Sequence, residues 1–205
     1  MQVENENATV EETVEQENET NQKEKKPTNW KKELLSWIMT FVVALAIALP
    51  VRAFVFEPIR VDGQSMCDTL QDGEVMIVTK PEYLFGDPQH GDVIICEYPG
   101  RKEKFVKRVM GIPGDVISIV DDVVYRNGEA LDEPYLTPSR NNDGFSMADF
   151  SLGEGEYFVM GDNRDNSHDS RNYYSYTRPS AITRDMIIGK VRWVVFPFNS
   201  IRAID

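Results

Sequence analysis

Residues 104–128 read KFVKRVMGIPGDVISIVDDVVYRNG. Three short β-rich runs lie within them: KFVKRVMGI (104–112), DVISIV (115–120) and VVYRNG (123–128). Each is dense in Val, Ile, Phe or Tyr and is bounded by Gly, Pro or Asp, the punctuation of strands and turns. Asn127-Gly128 is a hairpin signal, because the two central positions of a tight turn need positive φ and these residues accept it. The same pattern continues on both sides, with VMIVTK (75–80) and DVIICEY (92–98) before it, then EYFVMGD (156–162) and IIGKVRWVVFPF (187–198) after it. No long helical periodicity interrupts these runs. The expectation is an antiparallel, mainly β domain over residues 54–205.

Upstream the character changes. Residues 34–51, LLSWIMTFVVALAIALPV, carry no charge, and as a helix they would span about 27 Å, near the lower limit for a bilayer core. Trp30 and Trp37 suit an interface, and Lys31 and Lys32 mark the preceding side as cytoplasmic. A cleaved secretory leader is the competing reading, since Ala46-Ile47-Ala48 is an A-x-A pattern, but such a leader would be unusually long and acidic. A transmembrane anchor over residues 30–53 is therefore expected, with a disordered cytoplasmic tail at 1–29. That tail holds eight glutamates against three lysines and almost no large apolar groups, too little to offset chain entropy by burial.

The 205 residues carry a formal net charge of −12. Acids outnumber bases by 25 to 16 over residues 53–205, so the domain has no electrostatic footprint for a nucleic-acid backbone. Two cysteines, Cys67 and Cys96, fall far short of a disulfide framework, and two histidines with no CxxC suggest no zinc site. The stretch from Asp162 is rich in Asp and Asn, yet it fails as a calcium loop. Arg164 falls at its third position, Ser167 replaces the required glycine, and Tyr173 stands where a glutamate is needed.

Four segments look like machinery: VDGQSMCDTL (61–70), GDVI (91–94), KRVMGIPGD (107–115) and GDNRDNSHDSR (161–171). In this order they resemble the signature boxes of the type I signal peptidases, especially the small Gram-positive type, over about residues 34–197. The resemblance implies a mainly β catalytic core of the kind shared with the SOS-repressor proteases, with a small β cap inserted near 121–153. It also implies a membrane-bound serine endopeptidase that removes signal peptides from exported preproteins, cutting after small residues at the first and third positions before the bond. No cofactor or metal is implied. The implied partners are preproteins and the lipid bilayer, with the secretion translocon as a further candidate.

The chemistry can be weighed beside the resemblance. A serine hydroxyl is a poor nucleophile until a neighbour takes its proton, and a lysine serves as base only when its pKa is lowered, which burial does. Taken alone, Lys107 would be a strand lysine at the surface and Ser65 a turn serine. The resemblance instead places the family's general base on Lys107 and its nucleophile on Ser65. Gly63 would permit close backbone approach, and the Ser65 N–H is a natural oxyanion donor. Ser167 is implied to orient the lysine amine, with Asp169, Arg171 and Arg108 as a supporting ion-pair cluster. Ile59, Val61, Met66, Leu70, Phe105 and Val106 are implied to line the substrate pockets. His168 beside Asp169 invites a triad, but neighbours in a strand point opposite ways.

The chain departs from the family pattern in two places. Asp68 stands where proline is usual, and NYYSYTRPSAITRDM (172–186) is longer than the usual passage and lacks its glycine. The Asp68 departure keeps open a second reading, a catalytically weak or inactive membrane-anchored protein that binds or assembles preproteins.

Overall fold

The computed structural model describes residues 30–54, 56–98, 103–137, 144–172 and 179–204. The expected tail at 1–29 lies outside them, as do residues 173–178 of the 172–186 segment that departs from the family pattern. Helix α1 runs Trp30–Phe54. Its Trp30–Val51 portion is long and apolar enough to cross a membrane by length and composition.

Strands β1 (Phe56–Arg60), β2 (Val75–Thr79), β3 (Val93–Glu97), β4 (Lys104–Gly111), β9 (Glu156–Met160), β10 (Ile182–Thr183), β11 (Ile187–Phe196) and β12 (Arg202–Ala203) build one sheet. Its order is β1-β2-β11-β3-β4-β9-β10, with β12 beside β11, and the pairings are antiparallel. Strands β5 (Val116–Val120), β6 (Val123–Arg126), β7 (Glu129–Ala130) and β8 (Met147–Ser151) form a second sheet in the order β7-β6-β5-β8. This sheet takes in Val116–Val120, ahead of the residue 121 expected for the start of a cap. A one-turn helix, α2 (Glu82–Phe85), follows β2.

Turn chemistry sets these registers. Asn127 and Gly128 have φ of 54° and 83°, and they join β6 to β7 so that Arg126 faces Glu129. Asp121 and Asp122, also at positive φ, do the same between Val120 and Val123. Of the non-glycine residues, Asn and Asp tolerate this region best. Pro58 lies inside β1, where it is harmless because β1 is an edge strand with β2 as its partner.

Among the described residues, three apolar clusters fill the interior. Val61, Met66, Leu70, Met76, Val78, Ile95 and Val191 belong to one, and Ile94, Cys96, Val109, Tyr157 and Val159 to a second. The third joins the sheets through Met110, Phe158 and Met160 on one side and Ile117, Ile119, Val124 and Met147 on the other.

Candidate active site

Side chains alternate along β4, so Phe105, Lys107 and Val109 share one face and Val106 takes the other. Phe105 and Val109 pack in the cluster of Ile94 and Cys96, whereas Val106 packs against that of Val61 and Met66. Lys107, opposite Ile94 in the β3–β4 register, is therefore flanked by apolar groups and is only 1% exposed. Its Nζ lies 5.8 Å from the centre of the Phe105 ring.

Burial lowers the Lys107 pKa below the ordinary lysine value, against the opposing charges of Asp169 and Asp162 and with help from Arg171. Cys96 adds no negative charge at neutral pH, because burial pushes its own thiol up to about 12.

The serine arrives from a separate loop. Cys67 N–H donates to Gln64 O at 3.1 Å, and Leu70 N–H to Met66 O at 2.8 Å, winding residues 64–70 into tight turns. Asn163 ties this loop to the 161–171 segment: its N–H donates to Ser65 O at 3.1 Å and its Nδ2 to Gln64 O at 2.9 Å. Lys107 Nζ then sits 2.8 Å from Ser65 Oγ and donates to Val106 O at 2.9 Å. With the amine neutral, the same separation lets the Ser65 hydroxyl donate its proton to the Nζ lone pair, the geometry a base–nucleophile pair requires.

Charged pairs support both partners. Arg108 grips Asp162 through Nε (3.0 Å) and Nη2 (2.9 Å), and its Nη1 donates to Gly91 O at 2.8 Å. Thr69, on the serine loop, donates to the same Asp162 carboxylate. The Asp169 carboxylate receives Arg171 Nε at 2.9 Å, Arg171 Nη2 at 3.0 Å and Gly161 N–H at 3.0 Å. Burial alone would raise the Asp169 pKa, but the Arg171 charge and these hydrogen bonds outweigh it and hold the carboxyl below its usual range.

Ser167 is buried beside this cluster, close enough to Asp169 to favour its ionised form. Among the described residues, however, its Oγ makes no well-formed hydrogen bond. The expected bond to the lysine amine is thus not made in this state.

Beyond the Ser65–Lys107 pair lies a groove of about 340 Å³ whose lining includes Ile59, Val61, Met66, Phe105, Val106 and Ile95 together with the charged Arg60, Asp62, Glu103 and Lys104. Leu70 is elsewhere: it is fully buried in the core cluster beneath. Gly63 lies at the groove with φ of 102°, and its N–H donates to Asp72 Oδ1 at 2.9 Å. His168 is exposed, and His90 Nδ1 is 2.9 Å from Met110 O.

Sequence reasoning passed over Thr69, Asp162 and Gly161. All three stand inside quoted motifs, but nothing in their spacing announced their partners. Asp68 is at φ of 90°, on the third residue of a turn closed by Thr69 N–H to Met66 O at 3.0 Å. Proline cannot adopt that φ, so the loop with Asp68 differs in backbone from one built around proline.

A mainly β fold that brings a buried lysine amine against a serine hydroxyl at the end of a groove of mixed apolar and charged lining has the make-up of a hydrolase acting on extended peptides. The profile described as "Signal peptidase, peptidase S26" matches residues 34–196. A signal peptidase I of Bacillus licheniformis is 40% identical over 189 residues, covering 89% of this chain and 99% of that protein. Signal peptidase I T of Bacillus subtilis is 40% identical over 197 residues, covering 93% and 98%. A crystallised signal peptidase I from Enterococcus faecalis is 30% identical with a TM-score of 0.42, covering 51% of this chain and 97% of its own. The chain belongs to the signal peptidase family, peptidase S26.

Proposed function

We propose that this protein cleaves signal peptides from exported preproteins with Ser65 as nucleophile and Lys107 as general base. One observation carries the reading: the Lys107 amine, 1% exposed, lies 2.8 Å from Ser65 Oγ. The neutral amine takes the Ser65 proton as Oγ attacks the scissile carbonyl. The oxyanion forms beside the Ser65 N–H, since the Gly63 N–H is already engaged by Asp72. Protonated Nζ then gives its proton to the leaving amine, and an acyl-enzyme remains on Ser65. The lysine next deprotonates a water, which releases the acid and restores the hydroxyl. Ser167, buried beside Asp169, contributes by orienting the amine as it shifts during these transfers. Asp169 with Arg171, and Asp162 with Arg108, hold the two partners in place.

The substrate binds as an extended strand along the groove, an edge-strand mode of recognition. Ile59, Val61, Met66, Phe105 and Val106 offer shallow apolar pockets to the small residues one and three before the cut. Residues 30–53 anchor the chain in the membrane, with 1–29 in the cytoplasm and the peptidase domain, 54–205, outside. The charge asymmetry set by Lys31 and Lys32 supports that orientation, and the second sheet is the cap.

The test is turnover. The full chain in detergent is incubated with a preprotein, and the cut is located by mass spectrometry. Cleavage after an Ala-x-Ala segment, lost in both Ser65→Ala and Lys107→Ala while each variant stays folded, is expected. Appreciable cleavage by either variant would sink the assignment.

A further inference from the structure

The groove lies between two strand edges that share a direction. Strand β1 has β2 as its partner, and β4 meets β9 only from Arg108 onward; before that point Lys104, Phe105 and Val106 line the groove on that side. Strand β1 leads through Val61 into the Ser65 loop, and the open stretch of β4 ends on Lys107. Away from the dyad the two edges are joined. Lys104 Nζ donates to Glu57 Oε1 at 2.8 Å, and Lys80 holds Glu57 Oε2 at 2.8 Å. By strand period Glu57 shares a face with Ile59 and Val61, and Lys104 shares one with Val106. Lys104 lines the groove, and Glu57 meets it there through their ion pair.

We propose that Glu57 and Lys104, backed by Lys80, form a clasp that selects substrates by charge at the fourth or fifth residue before the cut, accepting an acid and rejecting a base. The inference rests on the Ser65–Lys107 reading above. Lys104 precedes Lys107 by three residues, about 10 Å of extended chain, so a substrate strand lying alongside reaches the clasp about four residues from its scissile bond. An entering strand must part Glu57 from Lys104. Glu57 stays neutralised by Lys80 when that happens, which leaves Lys104 to face the substrate. A substrate carboxylate takes the place of Glu57 on Lys104. A substrate ammonium must instead displace Lys104 and then meet the charge of Lys80, a repulsive element of the kind that sets specificity. The Glu57 carboxyl is held below its usual range by the hydrogen bonds from Lys104 and then Lys80, so it is charged whenever the enzyme works. Side chains of Lys104 and Glu57 are 38% and 29% exposed, so salt weakens the effect.

The experiment compares kcat/KM for peptides that differ only in Glu, Gln or Lys at the fourth and, separately, the fifth residue before an Ala-x-Ala cut. The full-length protein in detergent is assayed as wild type, Lys104→Gln, Lys104→Glu and Ser65→Ala. In the wild type at low salt a Glu-to-Lys ratio of about threefold to fivefold is expected, the scale of a partly exposed ion pair. The ratio should fall toward one in about 0.5 M salt and in Lys104→Gln, and it should invert in Lys104→Glu. A flat wild-type ratio, or one indifferent to both Lys104 variants, overturns the clasp. The Gln peptide separates the two readings. If the wild type cuts it in a Ser65-dependent way and the ratios stay flat, only the clasp falls; if the wild type fails to cut it, the dyad reading falls and the clasp with it.

Discussion

Gly161 is the position where the smallest change should do the most damage. A Cβ added there would lie 2.6 Å from Ser167 Cβ and closer still to Ser167 Oγ and to the backbone oxygen of Ser65. Ordinary van der Waals contact needs about 1 Å more, and the Ser65 carbonyl is main chain, held by Asn163, so it cannot swing aside. Gly161→Ala must therefore push the serine loop and the 161–171 segment apart by about 1 Å, a displacement that costs on the order of a hundredfold in rate. Gly111→Ala is the matched control. Its Cβ would meet Leu152 Cδ1 at 2.7 Å and Ile117 Cγ1 at 2.8 Å, an overpacking of about 1–3 kcal/mol in the third apolar cluster. Both variants should lose thermal stability, but only Gly161→Ala should lose kcat/KM by about two orders of magnitude on an Ala-x-Ala peptide. A Gly161→Ala enzyme within a few-fold of wild type, at a temperature where it is folded, would refute the placement of Ser65 against this glycine.

Other outcomes follow from the same geometry. Lys107→Met should be inactive yet more thermostable at neutral pH, by a few degrees. The native amine is protonated less readily folded than unfolded, so its stabilising contribution is smallest at low pH and is gained as pH rises toward the unfolded lysine value. Thermal unfolding across pH should therefore show the variant's advantage shrinking in alkali, and a constant gap would contradict a lowered pKa. Asp68→Pro should weaken both stability and turnover because φ there is 90°, whereas Asp68→Gly should be tolerated; equal melting temperatures for the two would count against the turn described. Activity should rise with pH through one deprotonation, and that limb should persist in His168→Ala. A limb that vanishes in that variant would make the histidine the base.

Much of this was readable from residues 104–128 outward. Val, Ile, Phe and Tyr in short bounded runs gave seven strands to within two residues, since apolar period and turn residues act locally. Five strands escaped, three of them (β7, β10 and β12) only two residues long. FEPIR (56–60) carries a proline that argues against a strand unless it is known to lie at a sheet edge. MADFS (147–151) is an edge strand whose register opposite Ile119 depends on a partner far away in sequence. The Asp121-Asp122 turn looked like a separator because Asp signals a break without declaring positive φ. For the site, no periodicity joins Ser65 to Lys107 across 42 residues; their pairing came from motif resemblance, as did the grouping of Asp169 with Arg171. Resemblance also put Leu70 in the pocket. It sits near the nucleophile in sequence, but the turn at 66–70 swings it inward to the core.

The charge balance of the chain bears directly on the lysine. A neutral amine is hard to maintain in a protein of net charge −12, and the two acids nearest Lys107 both favour its protonated form. Neither acid stands alone. Asp162 is bound by two nitrogens of Arg108, and Asp169 by two of Arg171. Spare donors of each guanidinium are fixed on main-chain carbonyls, Gly91 O for Arg108 and Arg164 O for Arg171. Each pair presents little net charge to Nζ, which leaves burial as the largest influence on its pKa. Such pairs stabilise a fold weakly, because desolvation offsets most of their attraction, yet removing one partner exposes the full charge of the other. On the proposed mechanism, their value lies in permitting two buried carboxylates, which position the Gly161 N–H and the serine loop, beside an amine that would act unprotonated.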